Sequence, residues 1–347
     1  MSGSKRDGNM QKKTIYDVAR EAGVSISTVS RVLNGSSKVK ESTKKRVEAA
    51  CVDYRPVASA RELQSKQTKT IGVLINHRPE YFFLNETYIN ALLGISVAAK
   101  ESGYRLLLDI SEDETGASNL FYEKKVDGFI LMGVKESSNL LSVLWDNDMP
   151  FVLVGSFHGD EEGVCQVDIN DRKAVCSVTN YLIGLGHRRI GIIVGSTEYA
   201  SCSDRLAGYR QAMEGANILI QEEWVQVCEN LTEVMAEQLA KHLFYQNPRV
   251  TAVVAFNDST AMAVYKAAKD CGLEIPSQVS VIGFDDTKVA AYMSPPLTSV
   301  WQPSYEKGER AMHLLIDCLK QGSMPRKREE LNCIIMYRES CAAPPEE

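Results

Sequence analysis

From Thr70 onward, short apolar runs alternate with longer segments whose apolar residues recur every three or four positions. The runs are IGVLI (71–75), RLLLDI (105–110), GFILMG (128–133), FVLVG (151–155), RIGIIVG (189–195), AVVAF (252–256) and SVIGF (280–284). The amphipathic segments between them include 89–101, 172–184, 205–216, 233–245 and 259–271. Short unbroken apolar runs fit strands buried on both faces, and a 3.6-residue period fits helices. Their alternation predicts β-α-β units around parallel sheets. The units fall into two sets with a further strand near 163–168 between them, so two sheets side by side are expected.

The first seventy residues carry a different pattern. Ile15, Val18, Ala19 and Ala22 recur at helical spacing behind Thr14 and Asp17, a T-x-x-D capping box. Gly23 stands where that helix must stop and the backbone must turn, and Ser25 is placed to cap the next helix. At roughly 100° per residue, Ile26, Ser27, Ser30, Arg31 and Asn34 fall within about 140° of each other on the second helix. Thr28, Val29, Val32 and Leu33 take the opposite side. One face suits a core and the other suits contact. Small polar side chains with one Arg fit a DNA major groove, where Arg grips guanine through two hydrogen bonds. This is the logic of a helix-turn-helix; on the bare helix pair, an ordinary helical hairpin with a solvated face fits equally well. Residues 44–52 are expected to form a third helix closing a small core through Val47, Ala50 and Cys51. Pro56 then breaks the pattern, and 57–65, VASARELQS, is too short to hold a helix alone in water.

Charge changes the picture. The 347 residues carry a net −6, which by itself argues against a nucleic-acid partner. Residues 1–69, however, hold 15 Lys+Arg against 7 Asp+Glu, and residues 70–347 hold 24 against 38. A basic head on an acidic body concentrates phosphate-binding charge at one end. The nine cysteines form no C-x-x-C pair and no zinc spacing with histidine, which fits reduced thiols in a cytoplasmic protein. No apolar run is long enough to span a membrane, and no signal peptide is evident. Residues 1–11 are expected to be a disordered extension and 342–347 a tail.

The string TIYDVAREAGVSISTVSRVLN (14–34) resembles the DNA-binding headpiece of the LacI/GalR family of bacterial transcription regulators. The resemblance continues through YRPVASARELQ (54–64), LGHRRIGIIVG (185–195), DRLAGYR (204–210), AFNDSTA (255–261), VSVIGFDD (279–286) and PPLTSVWQP (295–303), covering roughly 12–341. It implies a small all-α helix-turn-helix headpiece (12–56) and a hinge helix and linker (57–69). It further implies an α/β two-lobed body like periplasmic sugar-binding proteins, with two parallel sheets. The N-terminal lobe would comprise 70–168 and 298–328, and the C-terminal lobe 169–297 and 329–341. Ligands in such folds bind outside the carboxyl ends of the strands.

The resemblance also implies roles. Ile26, Ser27 and Arg31 would reach base edges of a pseudo-palindromic operator, with Thr14, Thr28, Ser30 and Asn34 holding phosphates. Leu63, flanked by Ala60 and Arg61, would wedge into the minor groove from each subunit of a homodimer. In the cleft, Arg205, Asn257 and Asp285 would bind a small effector, a sugar or oligosaccharide, with Asp258 and Asp286 capping helices instead. A surface ion pair with Asp204 is the alternative for Arg205. The first loop, NHRPEYFFLNETYINA, is longer than the family's; Phe83 and Tyr88, among Tyr81, Phe82, Phe83 and Tyr88, are taken as stacking residues. Gly155 replaces an Asp found in some relatives, so Ser156 or His158 would supply that contact. Trp301 is read as packing. No leucine heptads follow the last strand-like segment, so a dimer rather than a coiled-coil tetramer is expected. No metal, cofactor or catalytic residue is expected: the five histidines are scattered, there is no G-x-S-x-G motif or P-loop, and no G-x-G-x-x-G follows a strand. Competing functions are a regulator answering to a co-repressor protein, and, behind it, a sugar-binding protein or an enzyme with no DNA role.

Overall fold

The computed structural model describes residues 15–25, 28–29, 32, 39–51, 67–110, 120, 123, 125–159, 164–229, 232–323 and 327–346. The chain divides into two compact units, Met1–Thr68 and Lys69–Glu347.

In the first unit, helix α1 (Ile15–Ala22) ends where Gly23 adopts φ +64°. The Val24 amide donates to the Ala19 carbonyl and the Gly23 amide to that of Arg20. That pairing closes the helix as a Schellman motif, which needs a left-handed residue at the turn. Ser25 accepts from the Thr28 amide at 3.2 Å and starts the next helical segment. Helix α2 (Glu41–Ala50) follows. Val18, Ala19, Ala22, Val29, Val32, Val47 and Ala50 are all buried together, so the apolar side of the second helix does face the core.

The second unit contains strands β1 (Thr70–Ile75), β2 (Arg105–Ile110), β3 (Gly128–Met132), β4 (Phe151–Val154), β5 (Gln166–Ile169), β6 (Ile190–Gly195), β7 (Val225–Cys228), β8 (Ala252–Ala255), β9 (Ser280–Asp285), β10 (Thr298–Trp301), β11 (Arg328–Leu331) and β12 (Ile334–Met336). The helices are α3 (Pro79–Leu84), α4 (Glu86–Glu101), α5 (Leu140–Asp146), α6 (Asp171–Gly184), α7 (Ala200–Gly215), α8 (Glu233–Tyr245), α9 (Asp258–Asp270), α10 (Lys288–Tyr292) and α11 (Ser304–Gln321). One sheet has the order β11-β5-β4-β3-β1-β2 and the other β12-β10-β9-β8-β6-β7. All pairings are parallel except the short edge strand β12 on β10. The apolar runs read from the sequence are these strands, and most are buried along their whole length, as sheets covered on both faces require.

The chain passes between the sheets at 170, at 302–303 and at 332–333. The last two crossings lie beyond the expected 298 and 328. TSVW pairs in register with β9, Thr298 opposite Ile282, and so stays in the second sheet. Residues 328–331 pair with β5 and stay in the first. In the first lobe α4 and α11 press together with no room for a side chain at Gly94 or Gly308: a Cβ on either would run into the other helix's backbone. This contact carries the start of α11 to the carboxyl ends of the first sheet's strands. Among the described residues no helix is long and apolar enough to cross a membrane.

Candidate functional site

A cavity of about 120 Å³ lies where the carboxyl ends of strands from both sheets meet. His77 follows β1, Gly133 follows β3, Gly155 and Ser156 follow β4, and Asp168 sits near the end of β5. Phe256 follows β8, Asp285 ends β9, and Gln302 follows β10. Parallel strands release their chain at one edge, so a single rim collects side chains distant in sequence.

The first lobe contributes aromatic rings. His77 Nε2 and the Tyr88 hydroxyl share a 2.7 Å hydrogen bond. The His77 ring stacks on Tyr199 of the other lobe, with centroids 4.9 Å apart, and leans on Tyr81 at 4.8 Å. Burial, aided by the positive charges of Lys135 and Arg78, pushes the His77 pKa down to about 4, so the ring is neutral near pH 7.

The second lobe contributes charge. Arg205, on α7, is buried: its Nε donates to Asp171 Oδ1 at 2.7 Å and its Nη1 to the Phe256 carbonyl. The guanidinium carbon lies 3.6 Å from the centre of the Phe284 ring and 4.5 Å from that of Phe256. These contacts fix its plane and leave Nη2 without a hydrogen-bond partner among the described residues. Burial pushes the Asp171 carboxyl above the ordinary range, and the Arg205 charge pulls it back. A hydrogen-bonded chain joins the lobes along the floor. Ser156 donates to Asp168, Lys307 Nζ donates to Asp168 at 2.9 Å and to Gln302 Oε1 at 2.6 Å, and Gln302 Nε2 donates to Asp285. Asp285 and Asp286 take φ of +96° and +50°, two consecutive left-handed residues without glycine. Such strain persists where the surroundings enforce it, often at binding sites.

Of the predicted ligand residues, Tyr88, Arg205 and Asp285 line the cavity. Phe83 does not; it is 61% exposed on α3, because the helical turn directs Tyr81 to the cavity and Phe82 to the core. Asn257 does not either. Its side chain accepts from the Thr260 amide at 2.8 Å and caps α9. The neighbour expected to cap, Asp258, is instead buried and accepts from Thr287 and Ser299. Burial and the nearby Asp285 charge push its carboxyl up to about 7. Asp286 is bound by Arg338 rather than capping. Asp204 pairs with His158 at 3.0 Å, which takes both out of the cavity and leaves Ser156 there. Of the predicted DNA contacts, Thr28 is described, its hydroxyl 2.9 Å from that of Ser25. Thr14, Ile26, Ser27, Ser30, Arg31, Asn34, Ala60, Arg61 and Leu63 lie outside the described residues.

His77, Tyr199, Asp168, Asp171, Gln302 and Lys307 went unread in the sequence. Lys307 had a signal: with Ala311 and Leu315 it falls at four-residue spacing on the buried stripe of α11, where a lysine needs a partner.

Comparison with known proteins adds the family. The profile of bacterial regulatory proteins of the lacI family matches residues 14–56, and that of a periplasmic binding protein-like domain matches 179–341. The HTH-type transcriptional repressor PurR of Photobacterium profundum is 33% identical over 339 residues, covering 94% of this chain and 98% of the relative. That of Vibrio campbellii is also 33% identical, over 332 residues, covering 94% and 97%. Among solved structures, a transcriptional regulator CelR–cellobiose complex aligns with TM-score 0.75 at 30% identity, covering 94% of this chain and 99% of that one. The lac repressor dimer bound to operator and the anti-inducer ONPF aligns with TM-score 0.83 at 24% identity, covering 96% and 100%, and supports the fold. The chain belongs to the lacI family of bacterial regulatory proteins, whose members bind DNA to regulate transcription and are not enzymes.

Proposed function

We propose that this protein is a cytoplasmic, homodimeric repressor whose grip on a pseudo-palindromic operator is set by a neutral, hydroxyl-rich effector, a sugar, held in the cavity between the lobes. The hydrogen-bonding inventory of that cavity carries the effector reading. Arg205 presents a free Nη2, carboxylates of Asp171 and Asp285 accept hydroxyl protons, and Tyr81, Tyr88 and Tyr199 offer rings to an apolar sugar face. Both cations are already matched by carboxylates, so a charged ligand gains little there.

The headpiece spans 12–56, with 57–69 as the hinge segment. Ile26, Ser27 and Arg31 read bases; Thr14, Thr28, Ser30 and Asn34 hold phosphates; Ala60, Arg61 and Leu63 enter the minor groove. One lobe comprises 70–169 and 304–331, the other 171–301 and 334–341. Effector and operator act on each other reciprocally, because a ligand that favours one lobe arrangement changes DNA affinity by the factor by which DNA changes its own. A flat heteroaromatic base of the purine type is the second reading, favoured by the ring-lined wall and by the similarity to repressors named PurR.

The test is selection from a randomised DNA pool, with and without a panel of saccharides and purine bases. A palindrome whose recovery changes with a saccharide supports the reading. A response only to a base moves the effector to the second one, and a palindrome indifferent to both points to a protein co-effector. On the selected site, Arg31→Ala weakens binding by about 1–3 kcal/mol and relaxes one base position. Equal weakening on random DNA would reduce Arg31 to a phosphate contact.

A further inference from the structure

A second cavity, of about 340 Å³, adjoins the first and shares Thr87, Asp285 and Gln302 with it. Its other walls come from the first turn of α4, the crossing after β10 and the first turn of α11. Trp301 and Tyr305 stand in its lining, each still 38% exposed, although the Tyr305 backbone packs directly against α4 at Gly94. The side chains of Glu86 and Asn90 also line it, and neither has a hydrogen-bond partner among the described residues. Among the described residues no lysine or arginine lines this cavity, whereas Glu86, Glu306, Asp285 and Asp286 do; Arg310 pairs with Glu306 and Arg338 with Asp286 from outside it. Glu86 is thereby left without a cationic partner among the described residues, and a ligand with hydroxyl donors and an apolar face is matched.

We infer that the effector is a neutral saccharide of at least two rings. One ring occupies the inner cavity beside Arg205, and the next lies against Trp301 in the outer cavity, with Asp285 and Gln302 at the junction and Glu86 and Asn90 accepting or donating to its hydroxyls. This rests on the sugar reading of the inner cavity and extends it. The space beside Trp301 opens onto the inner cavity at Thr87, Asp285 and Gln302, so a single ring beside Arg205 leaves this part of the cleft empty. Trp301 thus binds ligand rather than only packing.

The experiment is calorimetric titration of the full chain with a panel of neutral disaccharides and their constituent monosaccharides, for the wild type, Trp301→Ala, Trp301→Phe and Glu86→Gln. Operator binding and the melting temperature of each variant report folding. One disaccharide is expected to bind at least tenfold more tightly than either constituent. Trp301→Ala should weaken that disaccharide by about tenfold, leave monosaccharide affinity unchanged, and be largely restored by Trp301→Phe. If Trp301→Ala unfolds, Trp301→Phe and Glu86→Gln carry the test through a smaller, disaccharide-only loss. Equal affinity for mono- and disaccharides, or a disaccharide indifferent to these substitutions, overturns the outer subsite and leaves the sugar reading standing. Binding of a purine base with no saccharide binding overturns both.

Discussion

The two walls of the inner cavity handle buried polarity differently. On the first lobe, beside the buried Lys307–Asp168 pair on the floor, His77, Tyr81 and Tyr88 are uncharged and satisfy one another through ring contacts and a shared hydrogen bond. Burial holds the His77 pKa down at about 4 and pushes both phenols upward, so this wall keeps one protonation state across the neutral range. On the second lobe Arg205, Asp171 and Asp285 are charged groups whose desolvation is offset by close partners, and the buried Asp258 lies near Asp285 outside the cavity lining. Dipoles tolerate the loss of a neighbour; a buried charge does not. The aromatic wall therefore offers apolar area, while the charged wall couples the cavity to the fold and to pH.

Arg205→Ala should break this contrast most. It strands Asp171 in the interior, and denaturant unfolding should show a loss of about 3–5 kcal/mol together with loss of effector response. A cost under about 1 kcal/mol would mean that Asp171 takes a proton and the charged wall is no more demanding than the aromatic one. Next is Asp258. Its folded pKa, near 7, exceeds the ordinary 3.8, so between those values the folded state holds a proton that the unfolded state releases. Its contribution to stability is present below about pH 4 and is lost as pH rises to about 7. Asp258→Asn should flatten that decline in melting temperature; an unchanged slope would detach Asp258 from it. Tyr88→Phe removes the bond to His77 and should cost only about 0.5–1.5 kcal/mol, without changing the pH dependence. Phe83→Ala should leave effector affinity unchanged, and a clear loss would return Phe83 to the aromatic wall.

Much of this was legible in the chain. Apolar runs marked the strands, and the order of strands and helices gave two parallel sheets because burial on both faces imposes continuous hydrophobicity. Gly23 and Ser25 marked the headpiece turn through local backbone chemistry. The crossings were less legible, since TSVW reads as a short strand with nothing local to choose between the sheets, and only its pairing with β9 assigns it to one. Asn257 took the capping role expected of Asp258 because either residue type caps a helix; Asp258 is instead held by Thr287 and Ser299, 29 and 41 positions downstream. Arg205 was read, but its partner was not. Asp171 lies 34 residues upstream, and no local pattern links the two. Phe83 shows the same limit within one loop, where adjacent rings at 81, 82 and 83 are sorted by a single helical turn into cavity, core and solvent.

The three crossings at 170, 302–303 and 332–333 have a mechanical consequence. They leave neighbouring edge strands, β5 beside β11 in one sheet and β10 beside β12 in the other. Three side-by-side straps resist stretching and twisting but yield to bending about one line, as a flexure does. Gln302 is part of one strap, and Trp301 and Lys307 flank it. A molecule resting on them presses close to the fulcrum, where a small change of angle becomes a large displacement at the far rims of the lobes.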